Sequence, residues 1–200
     1  MREEERPWSP MTPDEVATAL AGVPWQWWLA GGWALDLHLG RQTRHHEDVD
    51  VVVLRDDPGD VQQHLAGWTL MAADPPGRLR TWIEEEHLPA HVHDVWCRPA
   101  GAEAWALQLM VVDRVGDRWV YRRDRRVGRP LTQLRGPAST PRLPVLAPEV
   151  QLLHKSKAPR RPKDEADFVT LLPSLDASRR GWLREALLVV DPDHPWTARL

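Results

Sequence analysis

Two aspartates one residue apart open the most valine-rich stretch of the chain, Asp48-Val49-Asp50 followed by Val51–Val53. Valine favours extended structure, so residues 48–54 are predicted to form a strand, in which alternate side chains share a face. Asp48 and Asp50 then lie side by side, and either solvent or a divalent cation must relieve their repulsion. The pattern predicts a metal site or, as the simpler alternative, two solvated acids at the entrance of a strand.

Two adjacent glycines, Gly31-Gly32, lie between a predicted strand, Trp27–Ala30, and a helix predicted to begin at Trp33. Glycines let a ligand approach the backbone closely, and free amide groups at a helix start attract anions. Arg44, in the loop before Asp48, adds a planar cation suited to phosphate oxygens. This unit offers an anion site beside a cation site, which is the combination that a nucleoside triphosphate with Mg²⁺ requires.

This unit resembles the nucleotidyltransferase signature of the DNA polymerase β superfamily, and within it most closely the aminoglycoside 2″-adenylyltransferase-like group. The matching residues, within about 25–55, are Gly31-Gly32-Trp33-Ala34-Leu35-Asp36, Gly40-Arg41, Thr43-Arg44, His46 and Asp48-Val49-Asp50. Weaker similarity extends over 91–97 and 148–168. The resemblance implies Mg²⁺-dependent transfer of a nucleoside monophosphate, AMP from ATP, to a hydroxyl group, with release of pyrophosphate.

The resemblance also implies roles for individual residues. Asp48 and Asp50 would bind Mg²⁺, and a third carboxylate would complete the metal site and act as general base. Asp94 is the preferred third acid because it lies alone in a strand pattern, His91–Cys97, whereas Glu84–Glu86 form a consecutive run typical of a loop. The residues expected to bind the nucleotide are Gly31, Gly32, Arg44, His46, Lys155 and Lys157.

Lys155, Lys157 and Lys163 are the only lysines among 26 basic residues. Lys155 and Lys157 fall in a predicted helix, Pro148–Lys157, where side chains two positions apart point in different directions. One of them, with a slight preference for Lys157, is therefore expected to face the triphosphate. The alternative is a solvated basic patch formed with residues 160–161.

The loop before the paired aspartates contains two histidines. His45 and His46 also permit a zinc site, but oxygen-rich neighbours and the absence of a cysteine cluster favour magnesium. Asp36 is expected to be structural and to pair with Arg44 or Arg41.

The acceptor that the resemblance implies is a hydroxyl-bearing small molecule such as an aminoglycoside or lincosamide antibiotic. A polycationic acceptor would require an acidic pocket, which Glu47 and Glu84–Glu86 are expected to line. A second interpretation is a toxin-type nucleotidyltransferase that modifies tRNA ends, since residues 114–163 carry fourteen basic and three acidic side chains in a chain of net charge −3. A third is a catalytically silent nucleotide-binding module on the same scaffold.

Composition limits the class of protein. The chain has 200 residues, of which 42% are hydrophobic, and a single cysteine, Cys97, which excludes an internal disulfide and favours a reducing, cytoplasmic location. Its first residues are acidic, unlike a signal peptide. Residues 16–35 carry no charge, but Pro24 and the glycine pair argue against a membrane span, and no membrane partner is expected.

The elements that must position these residues alternate between helix and strand before residue 60. The fold class expected is α/β (α+β): a small mixed β-sheet nucleotidyltransferase core, residues 1–135, with helices on one face, and a C-terminal helical subdomain, residues 146–200. Further helices are predicted at 12–21, from Asp57-Pro58 to about Trp68, 162–172 and 177–190. Further strands are predicted at 78–82, 91–97, 107–113 and 118–122, the last two joined by a hairpin at Gly116.

Overall fold

The computed structural model describes residues 2–56, 58–159 and 161–200. The six α-helices of that part are α1 (Pro13–Ala19), α2 (Gly31–Leu39), α3 (Pro58–His64), α4 (Pro148–Lys155), α5 (Pro162–Leu171) and α6 (Ala177–Val190). Its eight strands are β1 (Trp27–Leu29), β2 (Asp50–Leu54), β3 (Thr69–Ala73), β4 (Leu79–Thr81), β5 (Asp94–Arg98), β6 (Leu107–Val115), β7 (Arg118–Tyr121) and β8 (Asp124–Pro130).

The main sheet is mixed, with strand order β1-β2-β6-β5-β3-β4. Strands β2 and β6 are parallel, and the other neighbouring pairs are antiparallel. The far end of β6 pairs with β7, which pairs with β8 to form an antiparallel arm. In register, Asp50 of β2 lies opposite Gln108 of β6, and Gln108 lies opposite Trp96 of β5. Because paired residues project to the same side of a sheet, these three side chains share one face.

Two hydrophobic clusters hold this sheet, one on each face. Helices α4, α5 and α6 pack over the face that carries Asp50, with Phe168 and Leu187 in the cluster. Helices α1 and α3 contribute Val16 and Val61 to the cluster on the opposite face. A mixed sheet with packed helices and a helical C-terminal part confirms the predicted fold class.

Local sequence signals fix several element ends. The backbone N–H of Glu15 donates to Thr12 Oγ1 at 3.3 Å, and the N–H of Thr12 donates to the Glu15 carboxylate at 2.7 Å, so α1 begins with the predicted capping box. Helix α2 ends at Gly40, whose φ of +69° favours glycine. The hairpin at Gly116 and the bounds of α6, Ala177–Val190, are as predicted.

Strands β3 and β8 have no strand pattern in the sequence. Strand β8 is mostly charged, and it is extended because β7 supplies a hydrogen-bonding partner. Gly128 permits this pairing, since a Cβ there would overlap the backbone carbonyl of Trp119. Strand β3 contains one β-branched residue, Thr69, and is held between β4 and β5. Tertiary pairing therefore overrides local propensity at both strands.

Two predicted helices are shorter than expected. Helix α3 ends at His64 and not near Trp68, and its predicted first residue, Asp57, lies outside the described residues. Helix α4 ends at Lys155, two residues before the predicted end at Lys157. This early end matters for the lysines, because Lys157 is not constrained by helical geometry.

The connector over residues 136–146 is hydrogen bonded to the edge of the sheet. The N–H of Leu29 donates to the Pro144 carbonyl at 2.8 Å, and the N–H of Leu146 donates to the Leu29 carbonyl at 2.8 Å. The cluster that contains Phe168 also contains Trp28, so the C-terminal helices share a core with the sheet. The division into residues 1–135 and 146–200 stays a prediction.

In the described part of the chain, none of the helices has the length and apolar character needed to cross a bilayer. The uncharged stretch over residues 16–35 is divided among α1, β1 and α2.

Candidate active site

Asp48, Asp50 and Asp94 line one cavity of about 260 Å³. Asp50 is the first residue of β2, and Asp94 is the first residue of β5. Strand β6 lies between them, and its Gln108 connects the two sides, because Gln108 is in register with Asp50 and its Nε2 donates to Asp94 Oδ1 at 2.9 Å. The strand order thus brings together acids that are distant in sequence.

The carboxyl group of Asp50 lies in an environment that disfavours its charge. Its pKa is raised from 3.8 to about 7, first by burial and then by the negative charge of Asp48, with a smaller contribution from Asp94. Lys155 and Lys163 oppose this rise. Burial is therefore the main reason that the ionised carboxylate of Asp50 is disfavoured, and the negative charge of Asp48 adds to it.

Gly31 allows Asp50 to lie against the start of α2. Its φ is +68°, and a Cβ at this position would overlap Asp50 Oδ2, so both backbone conformation and space require glycine. Its N–H donates to Oε1 of Gln151 in α4 at 2.9 Å. The prediction of free amide groups is therefore wrong for Gly31, because Gln151 approaches from a helix that local sequence does not place there. The helix also begins at Gly31 and not at Trp33.

Gly32 covers a buried pair formed by His46 and Asp36. A Cβ on Gly32 would overlap the imidazole ring of His46. His46 Nε2 lies 2.5 Å from Asp36 Oδ2, and Asp36 Oδ1 accepts hydrogen bonds from the N–H of Thr43 at 3.1 Å and from its hydroxyl at 2.5 Å. Asp36 therefore fastens the loop before β2 to α2.

The predictions for the side chains of this loop need correction. His46 is expected to bind the nucleotide, but it is buried behind Gly32 and is not among the residues that line the cavity. Asp36 pairs with His46 and not with Arg41 or Arg44. His45 is exposed, whereas His46 is buried. Both side chains of the Asp36–His46 pair are buried, and the missing Cβ of Gly32 leaves room for the imidazole ring.

Asp167 of α5 connects the two cations on either side of it. Arg44 Nε and Nη2 each donate to this carboxylate at 3.2 Å, and Lys155 Nζ lies 2.8 Å from it. Burial opposes its charge, yet the hydrogen bonds from Arg44 and Lys155 hold the pKa of Asp167 below its ordinary value. Lys155 also lies 3.6 Å from Asp164, which Arg161 binds through two nitrogens at 2.6 and 2.9 Å. The network joins the loop before β2 to the C-terminal helices.

Positive side chains outnumber the aspartates around this cavity. The cations of the described residues that line the cavity are Arg44, Arg122, Arg123, Lys155, Lys157, Arg161 and Lys163. Burial, followed by repulsion from Arg161, Arg123 and Arg122, lowers the pKa of Lys157. Burial and the same two arginines of the arm lower the pKa of His154 to about 3. These groups repel one another, so an anion bound among them would be stabilised.

The structure brings most of the predicted site residues to one cavity. Those that line it are Gly31, Gly32, Arg44, Asp48, Asp50, Asp94, Lys155 and Lys157. Both lysines line it, and the premise that both lie on one helix is wrong because α4 ends at Lys155. Which of them faces the triphosphate stays a prediction. Their roles in binding and catalysis stay proposals.

Eight cavity residues were not predicted from the sequence: Gln108, Met110, Arg122, Arg123, Gln151, His154, Arg161 and Lys163. The concentration of positive charge over residues 114–163 was the available signal for the four cations, because a basic segment on an acidic chain indicates an anionic ligand. Isolated glutamines carry no comparable signal.

The acidic residues expected to line an acceptor pocket lie elsewhere. Glu84 and Glu85 line a separate cavity beside α3, and Glu86 binds Arg80 at 2.7 and 2.8 Å. Glu47 is exposed and is not among the residues that line the cavity with the aspartates. The prediction of an acidic pocket from these four residues is wrong, because β4 and the loop after it lie at the far edge of the sheet.

The three aspartates suit a hard divalent cation by the type of their donor atoms, which are carboxylate oxygens. A cation bound here would stabilise the ionised form of Asp50, which burial and the charge of Asp48 disfavour. Within residues 2–56, 58–159 and 161–200, however, no group of three or more histidine, cysteine or acidic side chains is already arranged to hold a metal ion. The carboxylate oxygens are donors of the type that Mg²⁺ prefers, but the three carboxylates are not already arranged around a single ion position.

Solved structures share this fold at low sequence identity. A crystal structure of ANT(2″)-Ia in complex with adenylyl-2″-tobramycin is 16% identical, with a TM-score of 0.54 over 88% of this chain and 94% of that one. A solution structure of the antibiotic-resistance factor ANT(2″)-Ia is 17% identical, with a TM-score of 0.54 over 88% and 89%. The lincomycin-bound lincosamide antibiotic adenylyltransferase LnuA is 18% identical, with a TM-score of 0.55 over 84% and 100%.

The chain shares its fold with these solved structures, and its cavity brings three aspartates together with seven cationic side chains. The family model for aminoglycoside-2″-adenylyltransferase matches residues 14–168, so the chain belongs to that family. The resemblance found in the sequence and the assignment to nucleotidyltransferase enzymes are thereby confirmed. No curated protein sequence matches the chain significantly.

Replacing Gly32 by alanine is expected to destabilise the fold by about 2 kcal/mol, because the new methyl group overlaps the His46 ring that Asp36 holds in place. Gly181→Ala in α6 is the matched control, since nothing lies within 4 Å of its Cβ position, and it is expected to stabilise by about 0.5–1 kcal/mol. Urea unfolding of both variants measures the difference. Equal stability of the two variants would contradict the close packing at Gly32.

In the absence of divalent cations, Asp50→Asn is expected to stabilise the fold at about pH 8 and to have little effect near pH 4. Because the folded state raises the pKa of Asp50 to about 7, the stability contributed by protonation is present below about pH 4 and is lost as the pH rises through 7. Asparagine cannot ionise and avoids that loss, which we expect to be at least about 1 kcal/mol. Urea unfolding in a chelator, with exposed Asp60→Asn as control, tests this, and a less stable Asp50 variant at pH 8 would refute it.

Proposed function

We propose that this enzyme transfers AMP from ATP to a hydroxyl group of a small-molecule acceptor in a Mg²⁺-dependent reaction that releases pyrophosphate. The observation that carries this proposal is the cavity that Asp48, Asp50 and Asp94 line together with seven cationic side chains of the described residues. Family membership and the antibiotic-bound neighbours support an antibiotic as the acceptor. Antibiotic resistance would then be the physiological role.

Asp48, Asp50 and Asp94 would hold Mg²⁺. When bound, this ion supplies Lewis-acid stabilisation of the negative charge that develops on the reacting phosphate oxygens. Deprotonated Asp50 is required for that role, and its pKa of about 7 makes cation binding dependent on pH near neutrality.

Asp94 is proposed as the general base. Its Oδ1 accepts the hydrogen bond from Gln108, which fixes the carboxylate at the head of β5 and leaves its second oxygen for the acceptor hydroxyl. Asp94 would take the proton of that hydroxyl as the oxygen attacks the α-phosphorus, and the bond to pyrophosphate breaks. The remaining task of the protein is to position the groups and neutralise charge.

The cationic side chains that line the cavity are proposed to bind the triphosphate. Lys155 is held in place by Asp167, while Lys157 and the arm residues Arg122 and Arg123 have neighbours of like charge. A bound triphosphate would relieve that repulsion. Its negative charge would be stabilised by cations that are already in position before it binds.

Modification of tRNA ends is the second candidate, and the number of cations in the cavity is what favours it. Steep dependence of substrate affinity on salt concentration would mark this activity. A catalytically silent module would bind Mg-ATP without turnover, and the three aspartates at one cavity argue against it.

Asp94→Asn is expected to reduce kcat by about 10²- to 10⁴-fold and to weaken Mg-ATP binding less than Asp50→Asn does, because it removes the base and one of three proposed metal ligands but keeps the hydrogen bond to Gln108 possible. Asp50→Asn should abolish both turnover and Mg²⁺-dependent thermal stabilisation by ATP. Asp60→Asn, at an exposed position of α3, is the control. Pyrophosphate release and thermal shift measure the two effects.

At about 100 times its dissociation constant, Mg-ATP should stabilise the wild-type protein by about 2.7 kcal/mol, or several degrees. Lack of any stabilisation would reject the proposed function. Stabilisation without pyrophosphate release for any acceptor, RNA included, would instead support the silent module.

A further inference from the structure

The chain between β4 and β5 leads directly into the proposed general base. Residues 82–93, here named the β4–β5 loop, contain no helix or strand, and Asp94 is the first residue after them. Loops of this kind are usually more mobile than the elements they connect. Under the proposed function, on which this inference rests, Asp94 must stay within hydrogen-bond reach of the acceptor hydroxyl. The end of the loop must therefore be held in place.

Arg55, the residue after β2, contacts the last part of this loop. Its Nη1 lies 2.8 Å from the carbonyl oxygen of Val92, 3.0 Å from that of Pro89 and 3.3 Å from that of Leu88. Its Nη2 lies 3.3 Å from Nδ1 of His93, the last residue of the loop. One guanidinium group therefore binds the loop over its whole final turn before β5.

Asp113 of β6 fixes the orientation of Arg55. Its Oδ1 accepts a hydrogen bond from Arg55 Nε at 2.5 Å, and the two side chains are only 21% and 14% exposed, respectively. The N–H of Arg55 also donates to the carbonyl of Val112 at 3.0 Å, which continues the pairing of β2 with β6. Because a hydrogen bond between charged groups is stronger than a neutral one, the main sheet holds the guanidinium firmly against the loop.

Arg55 acts from the face of the sheet opposite to the active-site cavity. Alternate residues of an extended chain share a face, so Asp50 and Arg55, five positions apart, point to opposite sides. Arg55 is accordingly not among the residues that line the cavity with the aspartates, and it lies instead beside Val61 and Leu88. Any effect of Arg55 on the reaction must therefore pass through the loop.

We propose that Arg55 is a positioning residue for the reaction: by holding the β4–β5 loop, it keeps the Asp94 carboxylate where it can take the acceptor proton. A displacement of about 1 Å in such a group can cost about 10²-fold in rate. Lysine could not replace arginine here, because a single ammonium group cannot bind Asp113 and the loop carbonyls in the same planar, multidentate way.

The test compares the wild-type chain with Arg55→Lys. Pyrophosphate release is measured at saturating Mg-ATP with tobramycin and with lincomycin as acceptors, and kcat is expressed per site that binds α,β-methylene-ATP, which does not react. Arg55→Lys is expected to lower kcat at least about tenfold while changing the affinity for the analogue by less than about threefold. Counting binding sites prevents a loss of folded protein from imitating this result.

Arg114→Lys is the matched control. Arg114 Nε binds Asp56, the neighbour of Arg55, at 2.5 Å, and its Nη1 donates to the Gly116 carbonyl, so both partners lie outside the loop. This exposed pair loses the same planar group, and kcat is expected to stay within about twofold of the wild-type value. Equal kcat values in Arg55→Lys and Arg114→Lys would overturn the proposal.

Asp113→Asn provides a second variant in case Arg55→Lys binds no nucleotide analogue. It removes the charge that orients Arg55 and leaves the loop contacts possible, so kcat is expected to fall at least about threefold. Unchanged kcat in this variant would then overturn the proposal.

A double variant separates positioning of Asp94 from a general structural role. If Arg55 acts through Asp94, kcat of Arg55→Lys/Asp94→Asn should lie within about twofold of that of Asp94→Asn alone. An arginine that only supports the fold would instead lower kcat by the same factor with or without Asp94. That result would contradict the positioning role.

Failure of the proposed function gives different results. Absence of pyrophosphate release from the wild-type protein with both acceptors rejects that function and the inference with it, and an Asp94→Asn variant as fast as the wild type rejects Asp94 as the base. A slow Asp94→Asn variant together with a fully active Arg55→Lys variant rejects only the role of Arg55.

Discussion

The structure depends on the position of the Asp50 carboxylate, which lies against the start of α2 and close to two other acids. Gly31 makes this approach possible, and burial together with Asp48 and Asp94 raises the pKa of Asp50 to about 7. A charged group in such a place is unfavourable unless a counter-charge arrives. The chain tolerates the arrangement because the parallel pairing of β2 with β6 and the packed helices fix it.

The cations of the cavity must also be held in position. Asp167 provides it, since this buried carboxylate binds Arg44 from the loop before β2 and Lys155 from the end of α4. One side chain therefore holds together the two parts of the chain that were predicted to be separate. Nucleotidyl transfer depends mainly on positioning the reacting groups and neutralising their charge. Preorganised side chains such as these are therefore required.

Predictions from the sequence were confirmed where interactions within a short stretch of chain determine the local structure. The capping box at Thr12 and Glu15, the glycine end of α2 and the valine-rich strand each follow from local sterics or hydrogen bonding. Predictions were wrong where the conformation depends on a partner from another part of the chain. His46 sits behind Gly32 because Asp36 binds it, and β8 is extended because β7 pairs with it.

The sequence by itself indicated the class of enzyme through its resemblance to a known family, and its residue types and spacing predicted the pair of aspartates, the glycine turn and the preference for Asp94. Only the tertiary structure decided that both Lys155 and Lys157 reach the cavity, that Gln151 takes the Gly31 amide, and that Glu84–Glu86 lie away from the site. The physical reason is that strand order and helix packing set which distant side chains meet. Neither is encoded in the spacing of neighbouring residues.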